Sequence, residues 1–178
     1  MFAHLPFLAI NGCCDMLEAA LTYARHGVPV FPCRPNKAPR TSNGHKGAAT
    51  LELTITEWWT RWPDAMIGMP TGRASGVWVL DVDLPEGPAS LEAIEAQIGP
   101  LPSTLKQVTG SGGRHLFFKV EAGVEVRCNV KALGPGLDVR GEGGYVIVPP
   151  SMHLSGRRYQ WNPPDSCRET PSQQEVSL

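Results

Sequence analysis

The run Val77-Trp78-Val79-Leu80-Asp81-Val82, with Asp83 immediately after it, constrains this chain more than any other stretch. Gly76 precedes the run and Pro85-Glu86-Gly87 follows it, so it reads as a buried β-strand. Side chains alternate along a strand, which puts Asp81 and Asp83 on one face and Trp78, Leu80 and Val82 on the other. Two adjacent carboxylates repel, and each is driven toward protonation unless a cation lies between them. A hard divalent ion with oxygen ligands, Mg²⁺ or Mn²⁺, suits such a pair. The bland alternative is an edge strand with two solvated acids; a strand this apolar favours the ion.

At 178 residues, with 42% hydrophobic and 19% charged residues, the chain suits one domain with a sizeable core. Its net charge of −1 gives no global basic field. A protein that handles nucleic acid on such a balance must gather its Arg and Lys in one cleft. The five cysteines are odd in number and form no C-x-x-C, so neither a disulfide framework nor a zinc knuckle is indicated. Free thiols in a reducing cytoplasm are the expectation. Phe2 to Ile10 is apolar, but His4 and Pro6 interrupt it and it is too short to span a membrane. Helical patterning begins at Asp15-Met16. Residues 1–15 are therefore expected to be an extension that adds little, with Met16 a candidate start. Residues 16–162 form the expected domain. After Pro163 the chain is polar and unpatterned, so 163–178 is expected to be a disordered tail.

Asp15, with Glu18 three positions on, resembles a capping box ahead of Leu17, Ala20, Leu21 and Ala24, and Gly27 is a natural stop. Val28 to Cys33 reads as a strand, followed by a basic, Pro-rich loop through Lys37 and Arg40. Thr54 and Glu57 suggest a second cap before Trp58, Trp59 and Trp62, whose helical spacing predicts core packing rather than base stacking for most of them. Ile67 to Met69 reads as a strand, and Leu91 to Ile98 as an amphipathic helix. From Thr104 onward the pattern is β. Strands are expected at 105–109, 114–120, 124–132, 137–140, 145–148 and 159–161. This order predicts an α+β fold, a mixed or antiparallel sheet with helices on one face.

The same alternation groups further polar residues. His115 and Lys119 share a face of their strand, opposite Leu116, Phe118 and Val120. Asp138 and Arg140 share a face opposite Leu137 and Val139. If these strands neighbour the Asp81 strand, one face collects Asp81, Asp83, His115, Asp138, Arg140 and Lys119. Three carboxylates can hold two divalent ions, which activate a hydroxyl and stabilise charge on phosphorus and its leaving group. Arg140 matches phosphate geometry, or it pairs with one of the acids. Ser111-Gly112-Gly113 reads as a plain hairpin turn or as backbone N–H groups turned to a triphosphate. Lys37 and Arg40 are phosphate contacts or simply solvated.

Several of these stretches, in this order, resemble the bifunctional DNA primase/polymerase N-terminal (Prim-Pol) domain of the archaeo-eukaryotic primase superfamily. They are residues 20–32, Lys37-Ala38-Pro39, Gly47-Ala48-Ala49-Thr50, Trp58-Trp59 and residues 67–72. Val79 to Asp83, Thr109 to Phe118 and Gly136 to Ser151 complete the set, so the resemblance covers about 16–162. It implies an RRM-like sheet joined to an N-terminal α/β unit, with a cleft between them for template and nucleotide. It implies that Asp81, Asp83 and Asp138 hold Mg²⁺ or Mn²⁺ and that His115 lies near the nucleotide phosphates. Ser111, Gly112, Gly113, Arg140 and Lys37 are the accompanying phosphate-binding candidates. The implied activity is nucleotide addition to a primer in replication of a mobile element, phage or plasmid. Implied partners are a single-stranded or primed DNA template, NTP or dNTP, and a separate or fused helicase, with no membrane. Competing readings are a non-catalytic nucleic-acid-binding module of a replication initiator, a metal-dependent phosphodiesterase or nuclease, and a DxD sugar transferase.

Overall fold

The computed structural model describes residues 5–162 and gives four α-helices and nine strands among them. The helices are α1 (Phe7–Gly12), α2 (Met16–Arg25), α3 (Glu52–Arg61) and α4 (Gly87–Ile98). The strands are β1 (Phe31–Cys33), β2 (Met66–Pro70), β3 (Val77–Val82), β4 (Leu105–Val108), β5 (Arg114–Lys119), β6 (Asn129–Val130), β7 (Leu137–Arg140), β8 (Tyr145–Val148) and β9 (Gln160–Asn162). They make a three-stranded sheet in the order β1-β2-β8 and a six-stranded sheet in the order β6-β7-β3-β5-β4-β9. Every pairing is antiparallel. The fold is α+β, as the sequence predicts. No helix among the described residues is long and apolar enough to cross a membrane.

Local chemistry explains most boundaries. Asp15 caps α2, its carboxylate accepting from the N–H groups of Leu17 and Glu18, a contact worth about 1 kcal/mol. Glu18 does not close the box; it pairs with Arg25 on the next turns. The Thr54 cap is corrected: α3 starts earlier, at Glu52 after Leu51, and places Thr54 inside the helix. Of the predicted 124–132 strand only Asn129–Val130 forms a ladder, over two residues at the edge beside β7, with an isolated parallel bridge from Arg127 to Glu142. Trp59 is buried and donates its indole N–H to the Ala65 carbonyl. Trp62 is half-buried between Arg40 and Arg61, with both guanidinium carbons near 5 Å from its ring (5.2 and 4.8 Å).

The six-stranded sheet is covered on both faces, which the alternation pattern alone does not reveal. On one face Leu80, Val82, Leu116 and Leu137 pack with Leu91 of α4. On the other, Val77, Val79 and Phe117 join α2, β2 and β8 in the largest core cluster, with Trp161 of β9 at its centre. The polar groups therefore occupy only the end of that second face where β3 terminates. Lys119 is at the opposite end, exposed and paired in register with Val77, so it is not part of the group.

The expectation that residues 1–15 add little is also corrected. Leu5, Phe7 and Ile10 are buried in the same core, and α1 lies against β9. Asn11 bonds both ways with the Trp161 backbone, donating to its carbonyl and accepting from its N–H. The predicted tail falls outside the described residues.

Candidate active site

The site is assembled by register. Asp81 of β3 lies directly opposite His115 of β5 on one side and Asp138 of β7 on the other. Like charges directly opposed across a ladder destabilise it unless something neutral or positive intervenes. Arg140 supplies part of that charge: one Nη2 donates to Asp138 Oδ2 at 2.8 Å and reaches Asp81 Oδ2 at 3.4 Å. Asp138 Oδ1 accepts from the backbone N–H of Lys131, a residue held in the left-handed region. Asp83, exposed just past the strand, completes the carboxylates. Asp81, Asp83 and Asp138 each offer an oxygen within 4.8 Å of the others.

One guanidinium does not balance three acids, and the remaining imbalance falls on identifiable atoms. Asp81 is 8% exposed, and its Oδ1 is buried with no hydrogen bond. His115 Nε2 comes within 3.2 Å of that oxygen but is not aligned to donate to it. Burial pushes the Asp81 carboxyl up, yet His115 and Arg140 outweigh burial and hold it below its ordinary value. Asp83 goes the other way, raised by burial and then by the Asp81 charge, with His115 and Lys37 opposing. An anionic Asp81 with an orphaned buried oxygen, beside two further carboxylates, fits a hard divalent cation. The donor set is all oxygen, which suits Mg²⁺ or Mn²⁺ rather than a soft metal.

Asp81 faces a pocket of about 340 Å³ that opens between the two sheets. Asp81, His115 and Arg140 line it from the six-stranded sheet, Tyr145 and Ile147 from β8, and Lys37 from the basic loop. Lys37 has φ +70, and its carbonyl accepts from the Tyr145 hydroxyl. A non-glycine residue in that conformation is uncommon and concentrates at functional sites. Arg40 does not line the pocket, being engaged with Trp62 instead.

The Gly110–Gly113 turn comes close to the end of β3 because position 113 has no side chain. A Cβ on Gly113 would lie 2.6 Å from the Val82 carbonyl oxygen and 3.4 Å from Asp83 Cα. Within the turn, Gly112 N–H donates to the Thr109 carbonyl, and Ser111 Oγ shares a hydrogen bond with Thr109 Oγ1. On the turn's outer side sits a segment that the sequence reading passed over. Arg157 Nε and Ser155 Oγ both donate to the Gly110 carbonyl, and His153 contacts Tyr159, a pocket wall. Burial first, and then the charges of Lys37 and Arg157, lower the pKa of His153. The nearby charges of Lys37 and Arg157 thus favour the neutral form of His153. No periodic signal marks a loop, and its only hint in sequence is the density of His and Arg between Ser151 and Tyr159.

Gly110 is what lets the two loops touch. A Cβ there would overlap the Cβ of His153 and stand 2.9 Å from the Arg157 carbonyl oxygen. Gly110→Ala is expected to lower stability by about 1–3 kcal/mol, the scale of overpacking. His153 and Arg157 must then move off the turn. A urea midpoint equal to wild type would contradict that packing.

Comparison with known families now adds a decisive observation. The family model for the bifunctional DNA primase/polymerase N-terminal domain, Prim-Pol, matches residues 20–173. The chain belongs to this family. Among curated proteins, none matches the chain. The match spans all nine strands, and Asp81, Asp83, His115 and Asp138 all lie within it. As a Prim-Pol domain the chain is of primase/polymerase type, a nucleotidyltransferase class whose substrates are nucleic acid and nucleotides. Its acidic trio is a site able to hold a metal ion.

Proposed function

We propose that this Prim-Pol domain adds nucleotides to a primer on a DNA template, using Mg²⁺ or Mn²⁺ held by Asp81, Asp83 and Asp138, in replication of a mobile element, phage or plasmid. The observation that carries this reading is the row Asp138–Asp81–His115 across three neighbouring strands, with Asp81 Oδ1 buried and unsatisfied. Bound there, divalent metal would lower the barrier by activating the 3′-hydroxyl and stabilising charge at phosphorus. The primer's 3′-oxygen bonds to the α-phosphorus, the α–β bridging bond breaks, pyrophosphate leaves and the hydroxyl proton goes to solvent.

The chain's own residues set the stage for that exchange. Arg140 favours the ionised form of Asp81 and bridges it to Asp138 despite their repulsion. His115 offers an N–H donor and Lys37 a positive charge on the pocket wall beside Asp81, and Arg157 adds charge from the loop against the Gly110 turn. Gly113 sets its turn, with Ser111 and Gly112, against the end of β3 next to Asp83. A wall of apolar and aromatic groups, Tyr145, Val146, Ile147 and Tyr159, restricts water on the other side.

The template reading has its own support. Between Glu18 and Glu52 the chain contains no acid but five cations, Arg25, Arg34, Lys37, Arg40 and Lys46. Arg25 is paired with the two flanking glutamates; no ion pair involves the other four among the described residues. The loop carrying them leads out of the pocket through Lys37 and through Tyr145, which stacks on His45 at 5.8 Å. Cations interleaved with half-buried rings suit a single strand. Replacing Arg34 and Lys46 with Ala is expected to flatten the slope of log affinity against log salt by about 1.4, at ~0.7 per lost phosphate contact on a single strand. Fluorescence anisotropy of a labelled oligonucleotide measures it; an unchanged slope would move the template elsewhere.

The reaction class is tested with primed single-stranded DNA, labelled nucleotides and Mg²⁺ or Mn²⁺. Primer lengthening supports addition. Shortening of the template would instead identify a phosphodiesterase, and binding with neither would identify a non-catalytic module.

A further inference from the structure

Gln107 is the largest buried polar side chain near the pocket that the scheme above does not use. It sits on β4 with zero exposure, opposite His115 on β5 and Trp161 on β9. Its Nε2 is 2.6 Å from His115 Nδ1 and 2.7 Å from the carbonyl oxygen of Ile147 on β8. Its Oε1 is buried without a partner.

The Ile147 carbonyl can only accept, so it decides which way the amide faces. Turning the amide over would set Oε1 against that carbonyl oxygen. The second N–H of the same amide then meets His115 Nδ1, which must present its lone pair. A neutral imidazole whose Nδ1 accepts carries its proton on Nε2. That nitrogen is the one beside Asp81, on the pocket wall. An apolar residue at 107 would avoid the orphaned Oε1, which is costly in a buried strand. What comes with that cost is an imidazole fixed in both orientation and tautomer.

We propose that Gln107 is a positioning residue that locks His115 as the Nε2–H tautomer, so that the imidazole serves as a neutral N–H donor toward the pocket and not as a proton acceptor. The tautomer follows from the hydrogen bonds alone; that its Nε2–H meets a nucleotide phosphate rests on the function proposed above. Gln107 also ties the tautomer to β8, since it is the Ile147 carbonyl that orients the amide.

The test is a long-range ¹H–¹⁵N correlation spectrum of the histidine rings, in protein without metal or nucleotide, at a pH where His115 is neutral. His115 is expected to show a protonated Nε2 and a bare Nδ1. In Gln107→Leu the ring should become a mixture, and in Gln107→Glu, whose oxygen beside His115 can accept in its place, the proton should move to Nδ1. Both variants should raise the nucleotide KM by roughly tenfold, the scale of one hydrogen bond to a charged oxygen, with a smaller change in kcat. A wild-type His115 protonated on Nδ1, or a Gln107→Leu with unchanged tautomer and KM, would overturn the proposal. The wild-type spectrum needs no variant, so misfolding of Gln107→Leu does not shield it. If wild-type protein adds no nucleotide, the function above fails while the ring spectrum still decides the role of Gln107.

Discussion

Asp81→Asn is expected to reduce template-directed nucleotide addition by about 10³-fold or more. A metal acting as Lewis acid supplies several kcal/mol to such a reaction, and each 1.36 kcal/mol is a factor of ten. Asp81 is the centre of the row, facing Asp138 on one side and His115 on the other, so the loss is not easily made good by a neighbour. The fold should survive. Asn has nearly the same shape, and removing one of three crowded carboxylates relieves repulsion while Arg140 keeps its shorter bond, to Asp138. The thermal unfolding midpoint near neutral pH should drop modestly, because the variant lacks the charge that His115 and Arg140 stabilise. The acid limb should change, with a definite sign. Asp81 titrates below its ordinary value of 3.8, so its contribution to stability is present above that pH and lost as pH falls through the lower, folded-state value. The variant should lose this part of the acid sensitivity. Retention of activity within tenfold of wild type would remove Asp81 from the reaction.

The largest structural effect is expected at Trp161. Its ring is 3% exposed and meets Phe117 at 5.0 Å and Phe7 at 5.6 Å between centroids. The indole N–H donates to the Tyr23 hydroxyl at 2.7 Å, which in turn donates to the Pro149 carbonyl at 2.7 Å. One side chain thus joins α1, α2, β5, β9 and the segment after β8. Trp161→Ala should cost about 3–5 kcal/mol, the range for a large core aromatic with a cavity left behind. Urea denaturation measures it, and a loss under about 1 kcal/mol would mean that this junction does not hold the sheets together. Because β9 flanks β4, which carries Gln107, activity should fall with stability.

Much of the site was legible because strand alternation is a strong rule. Val77 to Val82 is apolar on both sides of Asp81, and β7 and β8 were bounded by glycines and prolines, so their limits in the structure match the sequence reading. Face assignment then joined Asp81, Asp83, His115, Asp138 and Arg140 correctly. It failed for Lys119 because parity gives a face but not a position along the sheet. Gln107 was missed for a related reason: Leu105 and Val108 are both apolar, so the strand shows no parity that would mark 107 as buried. His153 and Arg157 act from a loop, where no period exists to read. Residues 5–12 were misjudged because a six-residue helix with Pro6 before it has too short a pattern to recognise; its partner, β9, is some 150 residues away (|i−j| = 150 between Asn11 and Trp161).

The central claim is that Asp81, Asp83 and Asp138 jointly hold a divalent ion for nucleotide addition. Mn²⁺ binding followed by electron paramagnetic resonance tests it directly, in wild type and in Asp81→Asn, Asp83→Asn and Asp138→Asn, each with and without an incoming nucleotide. Each substitution is expected to weaken Mn²⁺ binding by at least about tenfold, and nucleotide should tighten binding in wild type more than in any variant. Equal Mn²⁺ affinity in wild type and all three variants would contradict the shared-metal site.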